Sequence, residues 1–427
     1  MDKNEFIRTN FNISDEVLEL VDRAEKSVEG QFKTIDETAQ INQLKVMKAF
    51  SDNRVSDAHF AETTGYGYDD VGRDTLDKVY AQVFETEDAL VRHTFVNGTH
   101  TISTALFGVL RSGDTLMAIT GKPYDTLEEV IGISGNAGDG SLRDFGIKYE
   151  QIDLMADGTA DFKGIADKVG AVKPKAVLIQ RSKGYDSRPT LSAEGIGEIV
   201  HSVKAVSPDT ICMVDNCYGE FVDDYEPTHY GADLIMGSLI KNPGGGLAPT
   251  GGYIAGRADL IELCSYRLTS VGIGRECGAT LGINRSLYQG LFFAPHVVAQ
   301  AVKTAVLCAA VFEKMGFYVE PKSSEARHDI IQAIRFEDEN KLKAFCQGIQ
   351  KGAPVDSFVT PEPWDMPGYQ DRVIMAAGAF IQGASIELSA DGPMRPPYTA
   401  FMQGGLTYES AKLGIMAAAQ KIMEIGK

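Results

Sequence analysis

The chain has 427 residues, 44% of them hydrophobic and 23% charged, which excludes a disordered or fibrous protein. Against 41 Lys and Arg stand 59 Asp and Glu, a net charge of −18 that argues against nucleic acid or an anionic membrane as a partner. Met1 opens on mixed polar residues, no apolar run reads as the roughly 18 residues that cross a bilayer, and the six cysteines form no CxxC pair, so a cytoplasmic protein with reduced thiols is expected.

Ser14, followed by Asp15 and Glu16, reads as a helix N-terminus, since acidic side chains suit the positive end of the helix dipole. Val17, Val21, Ala24 and Val28 recur at helical spacing and Gly30 closes the run. A second helix is predicted over Ile35 to Phe50. Two helices before any strand predict an arm over residues 1–60, packing against something such as another subunit.

From about Ala89 strands and helices alternate. Leu90–Val96, Thr115–Thr120, Lys148–Leu154, Lys175–Gln180, Thr210–Asn216, Asp233–Ser238 and Gly252–Ala255 read as strands. Between them Ile102–Leu110, Asp161–Val169 and Ser192–Val206 read as helices. This rhythm predicts a largely parallel sheet covered on both faces, in a large α/β domain over residues 61–290. Pro295–Met315 reads as a long helix. Asp329–Phe336, the helix-like Glu339–Lys351 and a last helix Tyr408–Ile425 then predict a smaller α+β domain over 291–427.

Ligands of such sheets bind beyond the carboxyl ends of the strands, and three places there carry chemistry. Asn97-Gly98-Thr99-His100 opens a helix, where free amides suit a phosphate, although any strand-to-helix turn uses such residues. Asp215 ends the apolar run from Ile211, as a partner for a cation or as a loop cap. Lys241 stands between an apolar strand and Asn242-Pro-Gly-Gly-Gly246, in a cleft or as a solvated strand end. It is no Walker loop, where the glycines precede the lysine.

In that order the three resemble the fold-type I pyridoxal-phosphate enzymes. Met213-Val-Asp-Asn-Cys-Tyr-Gly219 and Gly237-Ser-Leu-Ile-Lys-Asn-Pro-Gly-Gly-Gly246 resemble the cysteine and methionine metabolism branch. With Gly65-Tyr-Gly-Tyr-Asp-Asp-Val-Gly-Arg-Asp74, Gln180-Arg-Ser-Lys-Gly-Tyr185 and Asp391-Gly-Pro-Met-Arg-Pro-Pro-Tyr398, the chain is similar to the methionine γ-lyase-like proteins often labelled aluminium resistance proteins. The resemblance runs from about residue 10 to the C-terminus. It implies an aspartate-aminotransferase-like large domain, three layers αβα around a mostly parallel seven-stranded sheet, and a smaller α+β domain.

It also implies pyridoxal 5′-phosphate as cofactor and an amino acid as small-molecule substrate, in a carbon–sulfur lyase acting on cystathionine or methionine. Lys241 would form the Schiff base and move the Cα proton, with its pKa lowered for that task. Asp215 would pair with the pyridine nitrogen. The Gly98 and Thr99 amides and the Ser238 hydroxyl would hold the phosphate. Tyr124 would stack on the ring and move protons, and Arg395 would take the substrate carboxylate, with Arg181 competing for a place near ring or substrate. Tyr66, Tyr68 and Arg73 would reach the phosphate of a neighbouring subunit, or else pack within their own. The resemblance thus implies a homodimer or homotetramer with shared sites.

Two departures loosen the substrate assignment. Ile240 replaces the usual threonine before the lysine, and Arg181-Ser-Lys-Gly-Tyr185 replaces an Asn-Pro element. An aminotransferase, or a lyase of a non-sulfur amino acid, shares the first step. A cofactor-binding protein with little turnover and an indirect role in metal tolerance is a further reading. The seven histidines are scattered, no HExxH occurs, and no metal is expected; Asp69-Asp70 and Asp223-Asp224 read as solvated loop charges.

Overall fold

A computed structural model describes residues 2–184, 188–366 and 371–425. The chain begins with α1 (Lys3–Phe11), α2 (Asp15–Ser27), α3 (Glu29–Asp52) and α4 (Val71–Val83). The alternating part follows as β1 (Asp88–Arg92), α5 (Gly98–Val109), β2 (Thr115–Ala118), α6 (Asp125–Ile131), β3 (Lys148–Gln151) and α7 (Phe162–Val172). It continues through β4 (Ala176–Gln180), α8 (Ala193–Val206), β5 (Ile211–Asp215), β6 (Leu234–Ser238), β7 (Gly252–Gly256) and α9 (Ala258–Leu268). Then come α10 (Asn284–Lys314), β8 (Tyr318–Glu320), β9 (Ile331–Arg335) and α11 (Glu339–Gly352). The chain closes with β10 (Val373–Ala376), β11 (Ser389–Pro393), β12 (Thr399–Gln403) and α12 (Tyr408–Ile425).

The chain divides into two compact units, Ile41–Phe293 and Met1–Gln40 with Ala294–Lys427. The first holds a seven-stranded sheet in the order β1-β7-β6-β5-β4-β2-β3. Only β7 opposes its neighbours, β1 and β6. Strands β4, β5 and β6 are buried along their whole length, which explains their unbroken apolar sequences: a parallel strand covered on both faces has no wet side. Side chains set where helices begin, as with Ser192 accepting from the Gly195 amide at 2.9 Å ahead of α8. Helix α5 starts at Gly98, earlier than the periodicity predicts, because Asn97 accepts from the His100 amide at 2.8 Å and so caps it.

The second unit holds an antiparallel sheet, β10-β11-β12-β9-β8. Here the predicted arm needs correcting. Residues 1–40 are part of this unit's core: Val17, Val21 and Ala24 are fully buried in one cluster with Phe312, Phe345 and Ile415. Glu25 accepts from Tyr408 and Lys412, both at 2.6 Å, and the Ser14 amide donates to Gln420 at 3.0 Å. The apolar stripe predicted for an outside partner is consumed within the unit. Residues 41–60 belong to the first unit.

Helix α10 begins eleven residues before Pro295, which therefore lies inside it. It is also long and apolar enough to cross a bilayer by length and composition, a property the sequence reading missed. Of its most apolar window 72% is buried inside the protein, as in a core helix that is apolar on every side.

Candidate active site

Strands β5 and β6 run parallel with Asp215 beside Met236, so Asp215 and Ser238 reach the same sheet edge. The N-terminus of α5 comes to that edge: a Cβ added at Gly98 would lie 3.5 Å from Ser238 Cβ and 3.6 Å from Cys217 Sγ. Thr99 Oγ1 is 2.7 Å from Thr126 Oγ1, which brings the start of α6, with Tyr124 at its cap, to the same corner. Gly184, at φ +59°, lets the chain pass the Tyr124 ring, where a Cβ would come within 3.3 Å of Cδ2.

Lys241 is presented by a tight 3₁₀ turn, Asn242–Gly244. A Cβ at Gly244 would fall 1.7 Å from the Leu239 carbonyl oxygen, so only glycine closes this turn. Asn242 Nδ2 donates to the Tyr218 and Glu220 carbonyls, both at 3.0 Å, and staples the lysine turn to the segment after β5. Lys241 Nζ lies over the Tyr218 ring, 4.1 Å from its centre.

Burial disfavours the Lys241 ammonium, but the acidic groups packed round it, Asp215 among them, outweigh it when charged and hold the pKa above the ordinary lysine value. This corrects the expected lowering: the lysine faces acids rather than cations. Burial lifts Asp215, opposed by Lys241, by the Cys217 amide at 3.2 Å and by Arg188. Burial likewise lifts Cys217, so it stands as a thiol.

Other predicted residues are employed elsewhere. Arg181 is fully buried, and its two terminal nitrogens donate to Asn216 (2.7 Å), Glu226 (3.0 Å) and Asp223 (2.6 Å). Asp223 is thus no solvated loop charge, and neither is the buried Asp70, which caps α4 through the Arg73 amide. Arg73 is also buried in its own loop, where Nη1 donates to the Gly67 (2.7 Å) and Gly278 (3.0 Å) carbonyls. Tyr68 is 61% exposed and stacks on Tyr66. Its hydroxyl bonds Cys277, which pushes its pKa up. Arg395 lies in the second unit, paired with Asp371 at 2.8 Å. Tyr185 lies outside the described residues.

Sequence reasoning missed Tyr218 and Glu220. Tyr218 holds a left-handed backbone at φ +73°, rare for a tyrosine, and only the ring-to-lysine contact reveals its place. Glu220 is wholly buried, its Oε1 accepting from the Tyr253 hydroxyl at 2.9 Å.

A two-unit chain whose seven-stranded, mostly parallel sheet brings an aspartate and a lysine to its carboxyl edge has the fold of the fold-type I pyridoxal-phosphate enzymes. A cystathionine γ-synthase of Xanthomonas oryzae shares that fold at 15% identity, with a TM-score of 0.60 over 91% of this chain and 98% of that one. The chain belongs to the methionine gamma-lyase family, whose model matches residues 17–423. A carbon-sulfur lyase involved in aluminium resistance from Clostridium novyi is 54% identical, with a TM-score of 0.95 over 99% of this chain and all of that one. The uncharacterised protein YnbB of Bacillus subtilis is 54% identical over 400 residues, 94% of this chain and 95% of that protein.

Proposed function

We propose that this chain is a pyridoxal-phosphate-dependent carbon–sulfur lyase acting on a sulfur amino acid of the cystathionine or methionine type. The observation that carries the reading is the convergence of Gly98, Asp215, Ser238 and Lys241 on one sheet edge. The residues present fit the cofactor. The buried Ser238 hydroxyl has no hydrogen-bond partner among the described residues and lies against Gly98, beside the first amides of α5, which helix geometry leaves without intrahelical acceptors. Asp215 supplies a buried carboxylate for a ring nitrogen, and Lys241 the amine.

Pyridoxal phosphate, when bound, supplies an electron sink for the substrate Cα. Lys241 Nζ would hold the cofactor and then carry the Cα proton. The α5 amides and Ser238 Oγ would bind the phosphate. Tyr124 would cover the ring and return a proton to the departing thiol sulfur. A homodimer or homotetramer accompanies this reading, supported by the exposed Tyr66, Tyr68 and Leu281 of two loops joined at Gly278. The six unpaired thiols favour the cytoplasm.

The purified protein should be yellow, and Lys241→Ala should lose the visible band. Added cystathionine or methionine should yield a keto acid and a thiol. Amino-group transfer without thiol release would sink the lyase reading and leave the cofactor standing. A colourless protein indifferent to pyridoxal phosphate would sink both.

A further inference from the structure

Behind the lysine turn lies a carboxyl that the proposed chemistry does not use. Glu220 is wholly buried. Its Oε1 lies across β6 at Gly237, where a Cβ would come within 2.4 Å of it, so this strand position admits the carboxyl only as glycine. The Tyr253 hydroxyl donates to Oε1 and the backbone amide of Glu220 also favours the charged form, while Oε2 has no partner among the described residues. The Glu220 backbone carbonyl receives Asn242 Nδ2, which ties it to the residue after Lys241.

A buried carboxylate with only neutral donors and one bare oxygen is costly to charge. Its surroundings add little help. Tyr80 of α4, Tyr253 of β7 and the Cys217 thiol are neutral, and Glu226 is a like charge. Arg181 and Lys241 both face Glu220 with positive charge, and Arg181 shares its charge with Glu226 and Asp223. Burial, with Glu226 second, pushes the Glu220 pKa up to about 8.

We propose that Glu220 is a proton-holding positioning residue whose neutral carboxyl keeps Lys241 able to release its own proton. An ionised Glu220 adds a second negative charge beside Asp215 and locks Lys241 as ammonium. A neutral Glu220 leaves Asp215 its charge and the lysine its reactivity. The inference deepens the cofactor reading, since an amine at Lys241 is what that reading requires.

The full-length chain, freed of carbonyl cofactor with hydroxylamine, tests it. Infrared spectra at neutral pH should show a protonated-carboxyl band that Glu220→Gln removes. Reductive methylation of Lys241 with formaldehyde, read by peptide mass, should run equally in wild type and E220Q well below the Glu220 midpoint. Well above it, E220Q should react about threefold to tenfold faster, the effect of one nearby charge on a pKa. Tyr253→Phe, which removes the donor to the charged form, should move the wild-type break to higher pH. A missing infrared band, or E220Q and wild type differing by the same factor at every pH, would overturn the proposal. Neither readout needs pyridoxal phosphate, so a chain that never bound it would refute the proposed function and leave this test intact.

Discussion

The Lys241 ammonium and the Tyr218 ring face each other at 4.1 Å, and the Tyr218 backbone takes a left-handed conformation where it passes the lysine. Asn242 ties the Tyr218 carbonyl to the turn that carries the lysine, so ring and ammonium are held by one staple. A desolvated contact of this kind stabilises the charged lysine by about 1–2 kcal/mol.

Tyr218→Ala should therefore free the amine. The same methylation measurement at one fixed pH should show Lys241 reacting about tenfold faster, with Tyr218→Phe close to wild type because it keeps the ring face. Equal acceleration in both variants would assign the effect to the hydroxyl instead.

Removing Arg181 should be among the most damaging changes outside the lysine turn. Arg181→Met keeps much of the volume but leaves Asp223 and Glu226 without their cation. Breaking a buried pair in this way costs about 3–5 kcal/mol, to be read from urea unfolding. Part of the loss should return as pH falls and the stranded carboxylates protonate.

Asp70 gives a pH dependence of known sign. Burial opposes its charge, but the Arg73 amide, the Thr63 and Thr280 hydroxyls and the Arg73 guanidinium hold its pKa below the ordinary value of 3.8. The folded chain therefore binds this proton less readily than the unfolded one. Its stabilisation is complete above about pH 4 and is lost as pH falls through the lowered pKa. Asp70→Ala should cost about 1–2 kcal/mol near neutral pH and progressively less in acid, measured by urea unfolding across that range.

The N-terminal helices should be indispensable to the second unit. Val21→Asp puts a charge into a closed apolar cluster, and loss of this unit's calorimetric transition is expected. Ser14→Ala, which removes the cap of α2, should cost only about 1 kcal/mol. A Val21→Asp protein of unchanged stability would mean that the first forty residues are a dispensable arm after all.

Much of this was legible in the linear chain. The alternation of apolar runs and helices exposed the parallel sheet because strands buried on both faces cannot hide their composition. Asp215, Lys241 and the Gly98 turn stood out because each breaks an apolar strand with a chemically distinct residue. The early start of α10 was hidden by Pro295, a residue that more often opens a helix than sits inside one.

By itself, then, the sequence determined the order of the elements and which strand ends carry an acid, a lysine and a phosphate-ready turn, since these follow from local periodicity and residue chemistry. Tertiary structure alone decided which charges meet. Arg181, two positions beyond the fully buried Ile179, became a structural cation because Asp223 and Glu226 fold back onto it from more than forty residues away. Lys241 acquired a raised pKa because acidic groups from distant segments, Asp215 among them, pack round it. Glu220 lost its solvent and was left with one carboxyl oxygen unpartnered among the described residues because β6 and β7 fold over it. Electrostatic energy depends on distance and burial, and both are set by contacts between residues far apart along the chain.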